Sequence, residues 1–444
     1  MLFNIFNKYL YPIYKTPYFW QWLFIVLTLF VEFSITTIDF IFLEKISYKS
    51  AIGVGSIMSF IYMSQQIITL FVQSMVNNSL YQSKGTINKD FNQIASLGLL
   101  LSIFVAVVVV SSFWLMKDII LNSLHIDIEA KNYALEYLVF MLPFFILYNI
   151  FQYFVYILYA INKGKYNLIL VIIIILCNVI FNYSGVYLFH WGVKSIALAS
   201  CLSVIVVIPI YYFIISRNNI QLFTYNKLYF KNVFIGIKNL GFASILEPLL
   251  HQGIQFIIMV FLSKMGQEML SAKTHAHNFL TIPMTISIAF GIVVQLHIST
   301  LFGANNIQKI KEYAKLYIVV AFTMNIIITA SVILFVWLTI DFYSASTAVL
   351  KYLLLCLLLG IIWEPSRCLS IVSKATLRGL QYGNYPLLFS LINKVFIVVP
   401  LLYVVVNFSK LSISGVIIVE CIGYILNFCI YYIMYRKIMK KGVL

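Results

Sequence analysis

The stretch WLFIVLTLFVEFSITTIDFIFL (residues 22–43) decides the fold class of this chain. It contains two acids, Glu32 and Asp39, among apolar and hydroxyl-bearing residues. A helix of about 20 such residues spans the ~30 Å hydrocarbon core of a bilayer. A carboxylate at that depth costs about 3 kcal/mol, so it is expected to face a protein-lined interior that handles ions or substrate. The alternative is an inert, hydrogen-bonded Asp39 near a helix end.

The same apolar pattern recurs along the whole chain, which is 62% hydrophobic and 10% charged. Soluble globular domains have a much lower apolar content. Long apolar runs predict membrane-spanning helices at residues 18–43, 51–76, 93–116, 132–160, 165–188, 193–216, 240–263, 279–302, 314–339, 349–375, 386–406 and 412–436. The sequence therefore predicts an all-α, polytopic membrane protein with 12 transmembrane helices in two six-helix lobes.

The net charge of +16 has a topological explanation. Lys and Arg concentrate in alternate loops and at both chain ends, as the positive-inside rule requires for cytoplasmic segments. We therefore expect a multi-pass protein of the inner (plasma) membrane with both termini cytoplasmic. Because membrane topology accounts for the positive charge, we expect no nucleic-acid partner.

The two halves of the chain share signals at an offset of about 219 residues. Leu43-Glu44-Lys45 aligns with Leu262-Ser263-Lys264, and the Gly164 turn aligns with the Gly383 turn. Because each half has an even number of helices, the two halves share one orientation, as in transporters with parallel repeats. The predicted domains are an N-terminal lobe at 1–216, a cytoplasmic linker at 217–239 and a C-terminal lobe at 240–444.

Polar side chains in the first half form one candidate ion site. Asn178 and Asn182 are spaced i, i+4, which places both amides on one helix face, and Thr36 lies one turn before Asp39. One carboxylate, two amides and a hydroxyl provide hard oxygen ligands for Na⁺, and a proton on Asp39 would compete with the ion. Glu32 is a weaker candidate on nearly the same face. Simple helix-to-helix hydrogen bonding by the two Asn residues is the alternative.

The second half carries a different set of candidate substrate or cavity residues. Glu247, His251 and Gln255 repeat every four residues and so share a face. A second group lies on the tenth helix: Glu364, Arg367 and Lys374. Each Glu precedes a Pro, which favours a kink beside a cavity. Glu364 and Arg367 either form a structural pair or line that cavity, and the sequence leaves both possibilities open.

The motifs of soluble and membrane-embedded enzymes are not found in the sequence. There is no phosphate-binding Gly loop and no His-Glu-x-x-His motif, and the six Cys residues lack metal-site spacing. We therefore expect no catalytic residues, no bound metal and no cofactor. Without a nucleotide site, transport would run on an ion gradient of H⁺ or Na⁺.

Several motifs resemble those of the multidrug and toxic compound extrusion (MATE) family of antiporters. They are DFIFLEKIS at residues 39–47, YAINKG at 159–164, GANN at 303–306 and LRGLQYG at 377–383. The resemblance implies two six-helix lobes that alternate between the membrane faces, with Asp39, Asn178 and Asn182 as the N-lobe cation or proton site. Arg367 and His251 stand where many family members have acids, which argues against Na⁺ binding in the second lobe.

These observations predict a monomeric antiporter in the lipid bilayer that exports a small amphipathic compound in exchange for H⁺ or Na⁺. A lipid-linked oligosaccharide flippase of the same superfamily is the main alternative. Such a flippase is expected to have a basic cavity, and the second half of this chain contains the basic residues Arg367 and Lys374. A membrane-embedded enzyme is a second alternative, and it predicts a cluster of acids or His at one membrane interface that the sequence lacks.

Overall fold

The computed structural model describes residues 17–123, 127–224, 226–339, 347–408 and 412–440. Within those ranges the chain is helical and contains no β-strand, and twelve helices are long and apolar enough to cross a membrane. The all-α prediction with 12 transmembrane helices is confirmed. Both termini, whose cytoplasmic location the charge pattern predicts, lie outside the described residues.

Eleven of the twelve helices are longer than the apolar runs that predict them, and the exception is α5, which a π-helical turn continues. The helices are α1 (Pro17–Ile46), α2 (Tyr48–Gln82), α3 (Lys89–Ser123), α4 (Ile128–Ala160), α5 (Gly164–Tyr183), α6 (Val193–Arg217), α7 (Phe230–Gly236 and Phe242–Met265), α8 (Gln267–Gly303), α9 (Ile307–Thr339), α10 (Thr347–Gly379), α11 (Asn384–Asn393 and Val399–Phe408) and α12 (Ser412–Lys440). Hydropathy marks only the part of a helix that matches lipid, so helices extending beyond that part are predicted too short.

Three helices include a π-helical turn. Ser184–Leu188 follows α5, Ile237–Gly241 joins the two parts of α7, and Lys394–Val398 joins the two parts of α11. A π turn adds a residue to the helix and is frequent at functional sites. The turns in α5 and α11 lie in the fifth helix of each six-helix half, and each closely follows a buried Asn.

The chain divides into two compact units. The N-terminal unit is Leu23–Pro248, and the C-terminal unit comprises the other described residues. The division falls inside α1 and inside α7, whose first part packs on α2. Gly236 permits this packing, because a Cβ there would lie 2.4 Å from the Cγ of Asn78.

Polar bonds and small residues hold the helices together within each unit. In the N-terminal unit, the Tyr153 hydroxyl donates to the Ala95 carbonyl at 2.7 Å and Ser102 donates to Asn149 at 3.0 Å. In the C-terminal unit, a Cβ on Gly379 would lie 2.7 Å from the Cβ of Ile298, so α8 and α10 approach closely there. Lipid provides little hydrophobic driving force between helices, so such contacts determine their packing.

Candidate functional site

Asp39 lies in the interior of the N-terminal unit, where its side chain is 6% exposed. Both of its oxygens accept hydrogen bonds. Asn182 Nδ2 donates to Oδ1 at 2.8 Å, and the Ser200 hydroxyl donates to Oδ2 at 3.1 Å. Buried polar groups in a membrane need such partners, because no water is available there to form hydrogen bonds with them. Three helices, α1, α5 and α6, therefore meet at this carboxylate.

The two Asn residues of α5 lie on one face, as their spacing predicts. Asn182 Nδ2 donates to Asn178 Oδ1 at 3.1 Å, and both side chains are fully buried. The Asn178 side chain also contacts Asp39. The structure thus brings the predicted carboxylate and both predicted amides into one cluster, hereafter the Asp39 cluster.

Ser200 completes the Asp39 cluster, and sequence reasoning missed it. Its hydroxyl donates to Asp39 and accepts from Asn178 Nδ2 at 3.3 Å, which closes a ring of hydrogen bonds. Serine is common in membrane helices, where it often bonds to its own backbone, as Ser203 does to the Ser200 carbonyl at 2.9 Å. Ser200 and Ser203 both lie on α6, and only the packing of α6 against α5 places Ser200, and not Ser203, beside Asp39.

The other two candidates on α1 have different surroundings. Thr36 is partly exposed, and its side chain contacts the Tyr62 hydroxyl of α2 rather than the Asp39 cluster. Glu32 is also partly exposed and lies near Tyr148 and Tyr159 of α4. Both residues therefore lie outside the hydrogen-bonded ring.

The Asp39 cluster has an excess of acceptors. Within the described ranges, no Lys, Arg or His forms an ion pair with Asp39. The buried Asn182 Oδ1 also has no hydrogen-bond partner there. Neutral donors stabilise a carboxylate without cancelling its charge. These oxygen atoms fit a proton, which would bind to one oxygen of Asp39, or one small monovalent cation, which the amide oxygen of Asn182 could also bind.

Buried acids in the C-terminal unit have cationic partners instead. Arg367 donates to Glu364 at 2.5 Å within α10, and both side chains are buried. Lys273 of α8 forms an ion pair with Glu420 of α12, and this pair is buried too. The Glu364–Arg367 contact is thus an intrahelical ion pair, one of the two arrangements that the sequence left open.

Trp363 connects these two ion pairs. Lys273 Nζ lies 3.7 Å from the centre of its ring, and the Arg367 guanidinium carbon lies 5.4 Å from it. Sequence reasoning missed Lys273 because the predicted eighth span, 279–302, begins too late. Helix α8 starts at Gln267, so the polar run containing Lys273, His275 and His277 lies inside that helix.

The remaining candidates of the second half are distributed differently. His251 and Gln255 line a cleft in the C-terminal unit together with Lys394 and Glu420. Glu247 and Lys374 are partly exposed and are not among the residues lining that cleft. Glu247 belongs to the N-terminal unit, so the predicted face of three polar residues is divided between the two units.

Comparison with known proteins decides the family. The sequence model of the MatE family matches residues 25–184 and 243–404, more than half of the chain. The chain belongs to the MatE family. The two matches begin 218 residues apart, at 25 and 243, which agrees with the repeat offset read from the sequence.

Two bacterial relatives in the MatE family bear the same name. The chain is 23% identical over 404 residues to the probable multidrug resistance protein NorM of Bacillus subtilis, covering 86% of each sequence. It is 21% identical over 349 residues to the protein of that name from Halalkalibacterium halodurans, covering 72% of this chain and 71% of the relative. Neither relative favours the oligosaccharide flippase.

Solved structures show the same fold. A MATE crystal structure in the straight conformation superimposes with a TM-score of 0.83 at 17% identity, covering 96% of both chains. A MOP superfamily transporter from Pyrococcus furiosus superimposes equally well, at 18% identity and the same coverage. At this identity the likeness establishes the fold alone: a polytopic membrane protein with MATE architecture.

Proposed function

We propose that this MatE family member is a secondary antiporter that exports a small amphipathic compound in exchange for H⁺ or Na⁺. The observation that carries the proposal is the Asp39 cluster, in which a buried carboxylate accepts hydrogen bonds from the neutral side chains of Asn182 and Ser200. Asn178 accepts from Asn182 and donates to Ser200. A charge at membrane depth costs about 3 kcal/mol, and a site that bears this cost is expected to have a function.

The coupling follows from linkage. Binding of the cation cancels the charge of Asp39. It thereby changes the relative free energies of the two conformations that open to opposite faces of the membrane. A bound substrate shifts the same equilibrium in the opposite direction. By thermodynamic reciprocity, each ligand then weakens the binding of the other, which is the requirement for exchange.

The ligand set is compatible with either ion. A proton needs only one oxygen of Asp39, whereas Na⁺ would also use the oxygen of Asn182, which has no hydrogen-bond partner among the described residues. Hard cations prefer such oxygen ligands. No other cofactor is proposed, and we expect no enzymatic activity.

The NorM relatives are called probable multidrug resistance proteins, which supports a drug-like substrate. We further propose that the protein works as a monomer in the inner membrane with both termini cytoplasmic. The positive-inside distribution of Lys and Arg supports that orientation.

The test is efflux from proteoliposomes under an imposed pH gradient and, separately, an imposed Na⁺ gradient. Asp39→Asn keeps the size and planar shape of the side chain and one of its two acceptor oxygens but removes its charge. We expect gradient-driven efflux to fall at least about tenfold, since an uncharged site no longer responds to the ion. Glu44→Gln, at an exposed position on the same helix, is the matched control and should retain wild-type rates. Wild-type efflux by Asp39→Asn would refute the proposal.

A further inference from the structure

The chain between α6 and the second part of α7 forms a short helical segment. A 3₁₀ turn at Lys227–Tyr229 leads directly into the first part of α7, Phe230–Gly236. We call residues 227–236 the linker helix. It packs on α2 and α3 within the N-terminal unit and shares no residue with the Asp39 cluster.

Hydrogen bonds determine which side of the linker helix faces the protein. The Tyr229 hydroxyl donates to Asp90 Oδ1 of α3 at 2.6 Å. Asn232 Nδ2 donates to Gln82 Oε1 of α2 at 3.2 Å, and the Asn232 carbonyl accepts from Asn78 Nδ2 at 3.1 Å. These contacts hold one side of the linker helix against its own unit, so the opposite side is directed outward.

The outward side combines apolar and basic residues. Leu228, Phe230 and Phe234 are all more than half exposed. Lys227 and Lys231 are exposed as well, and within the described ranges neither forms an ion pair. An exposed apolar patch marks a site of interaction with a protein or a membrane. Beside two lysines, such a patch fits a partner that is both apolar and anionic.

The position of the linker helix in the fold places it at the level of lipid headgroups. The candidate membrane span of α7 begins at Lys227 and extends 29 residues to Gln255. At about 1.5 Å per residue such a helix is about 43 Å long, whereas the hydrocarbon core of a bilayer measures about 30 Å. The excess length lies in the headgroup layers. The end with the two lysines belongs there, because a charge in the hydrocarbon core is costly.

The spacing of the two lysines suits one phosphate group. Lys227 and Lys231 are one helical turn apart, which places their Cβ atoms about 5–6 Å from each other. Lysine stems lie along apolar surface while the ammonium groups reach polar atoms. Both ammonium groups can therefore converge on the phosphate of one lipid, and the neighbouring aromatic side chains extend toward its acyl chains.

We propose that the outward side of the linker helix binds an anionic phospholipid of the adjoining leaflet. Lys227 and Lys231 contact its phosphate, and Leu228, Phe230 and Phe234 contact the upper part of its acyl chains. A zwitterionic phospholipid is held less tightly, because its own cationic group repels the lysines. Binding needs no ion gradient and no antiport activity, so it is tested apart from the function proposed above.

The test is native mass spectrometry of the purified full-length protein with two lipids that have the same acyl chains, anionic phosphatidylglycerol and zwitterionic phosphatidylcholine. A lysine near an anionic membrane surface contributes about fivefold in affinity. We expect the wild type to bind its first phosphatidylglycerol at least about fivefold more tightly than phosphatidylcholine. Lys227→Gln/Lys231→Gln should weaken phosphatidylglycerol binding by at least about fivefold and leave phosphatidylcholine binding unchanged.

Lys311→Gln/Lys315→Gln is the matched control. These lysines of α9 are also exposed and one helical turn apart, but the exposed side chains beside them include Gln308 and Glu312 instead of aromatic residues. The control has the same net charge as the linker variant and should bind both lipids as the wild type does. Equal losses in the two variants would indicate general attraction to a basic protein and would overturn the proposal. An unchanged affinity in a folded Lys227→Gln/Lys231→Gln protein would also overturn it.

Two further measurements separate a lipid from a soluble anion. Phe230→Ser/Phe234→Ser removes the apolar contacts and should weaken the binding of both lipids by the same factor. Glycerol phosphate, which has the phosphate but no acyl chain, should not displace phosphatidylglycerol at equal concentration. Displacement by glycerol phosphate, or wild-type lipid binding by the Phe variant, would overturn the assignment to a lipid. Thermal unfolding checks that each variant is folded, which is expected because all of the substituted side chains are exposed.

Discussion

The two units hold their buried carboxylates in opposite ways. Asp39 in the N-terminal unit accepts hydrogen bonds from neutral Asn and Ser side chains, whereas Glu364 and Glu420 in the C-terminal unit pair with Arg367 and Lys273. All three acids are at most 6% exposed, so burial does not distinguish them. The partner does. A carboxylate among neutral donors keeps its net charge and responds to an added cation, whereas one in an ion pair is already neutralised.

The strongest way to break this contrast is to remove one acid from an ion pair. Glu364→Gln leaves the Arg367 guanidinium buried without its anion, and breaking a buried pair this way costs about 3–5 kcal/mol. We expect a clear fall in the thermal unfolding midpoint of the purified protein. Asp39→Asn, which strands no opposite charge, should change that midpoint much less.

The double variant Glu364→Gln/Arg367→Gln is the control for charge imbalance. Removing both charges should recover part of the lost stability, because no ion is then left unpaired. A Glu364→Gln protein as stable as the wild type would show that Arg367 finds another anion, and the contrast between the units would fail.

A smaller effect sharpens the N-terminal side of the comparison. Ser200→Ala removes one donor from the Asp39 carboxylate, and a hydrogen bond to a charged group contributes about 1.5–3 kcal/mol. The lost bond stabilised the charged form, so the variant should bind a proton more readily. If the coupling ion is H⁺, efflux should reach half its maximum at a pH about one unit higher or more.

Ser203→Ala is the matched control for that measurement, because the Ser203 hydroxyl bonds to a backbone carbonyl of its own helix. It should leave the pH profile of efflux unchanged. A shift of equal size in both variants would show that loosening α6, and not loss of the bond to Asp39, is responsible.

The smallest expected effect concerns an ion pair at the surface. Lys49 pairs with Glu129 at 2.5 Å, but their side chains are 45% and 53% exposed. Solvent screening leaves such pairs with little net energy. Lys49→Gln should therefore leave the unfolding midpoint within experimental error. A loss comparable with that of Glu364→Gln would show that burial does not set the strength of ion pairs in this chain.

Parts of this arrangement were readable from the sequence because they depend on local periodicity. The twelve helices follow from runs of apolar residues, and the shared face of Asn178 and Asn182 follows from the geometry of one helix. The significance of Asp39 followed from the cost of a charge in lipid. These inferences need no knowledge of how helices pack.

The missed residues depend on packing between helices. Ser200 becomes a partner of Asp39 only because α6 packs on α5, and nothing in its neighbourhood separates it from Ser203. Lys273 and Glu420 are 147 residues apart in the chain. A hydropathy argument also treats a polar run such as the one around Lys273 as a helix end, although an ion pair can compensate for its burial inside a helix.

Trp363 gives the C-terminal unit an optical property of its own. Its indole is 2% exposed and lies 3.7 Å from the Lys273 ammonium. Trp20, Trp114, Trp191 and Trp337 are all more than 40% exposed, and the other buried tryptophan, Trp22, stacks on Phe290. A full positive charge over the ring face acts on the π electrons through their quadrupole. Any event that draws Lys273 away from the ring therefore changes the ultraviolet emission of this one tryptophan, so the protein contains a label-free reporter of its buried charge network.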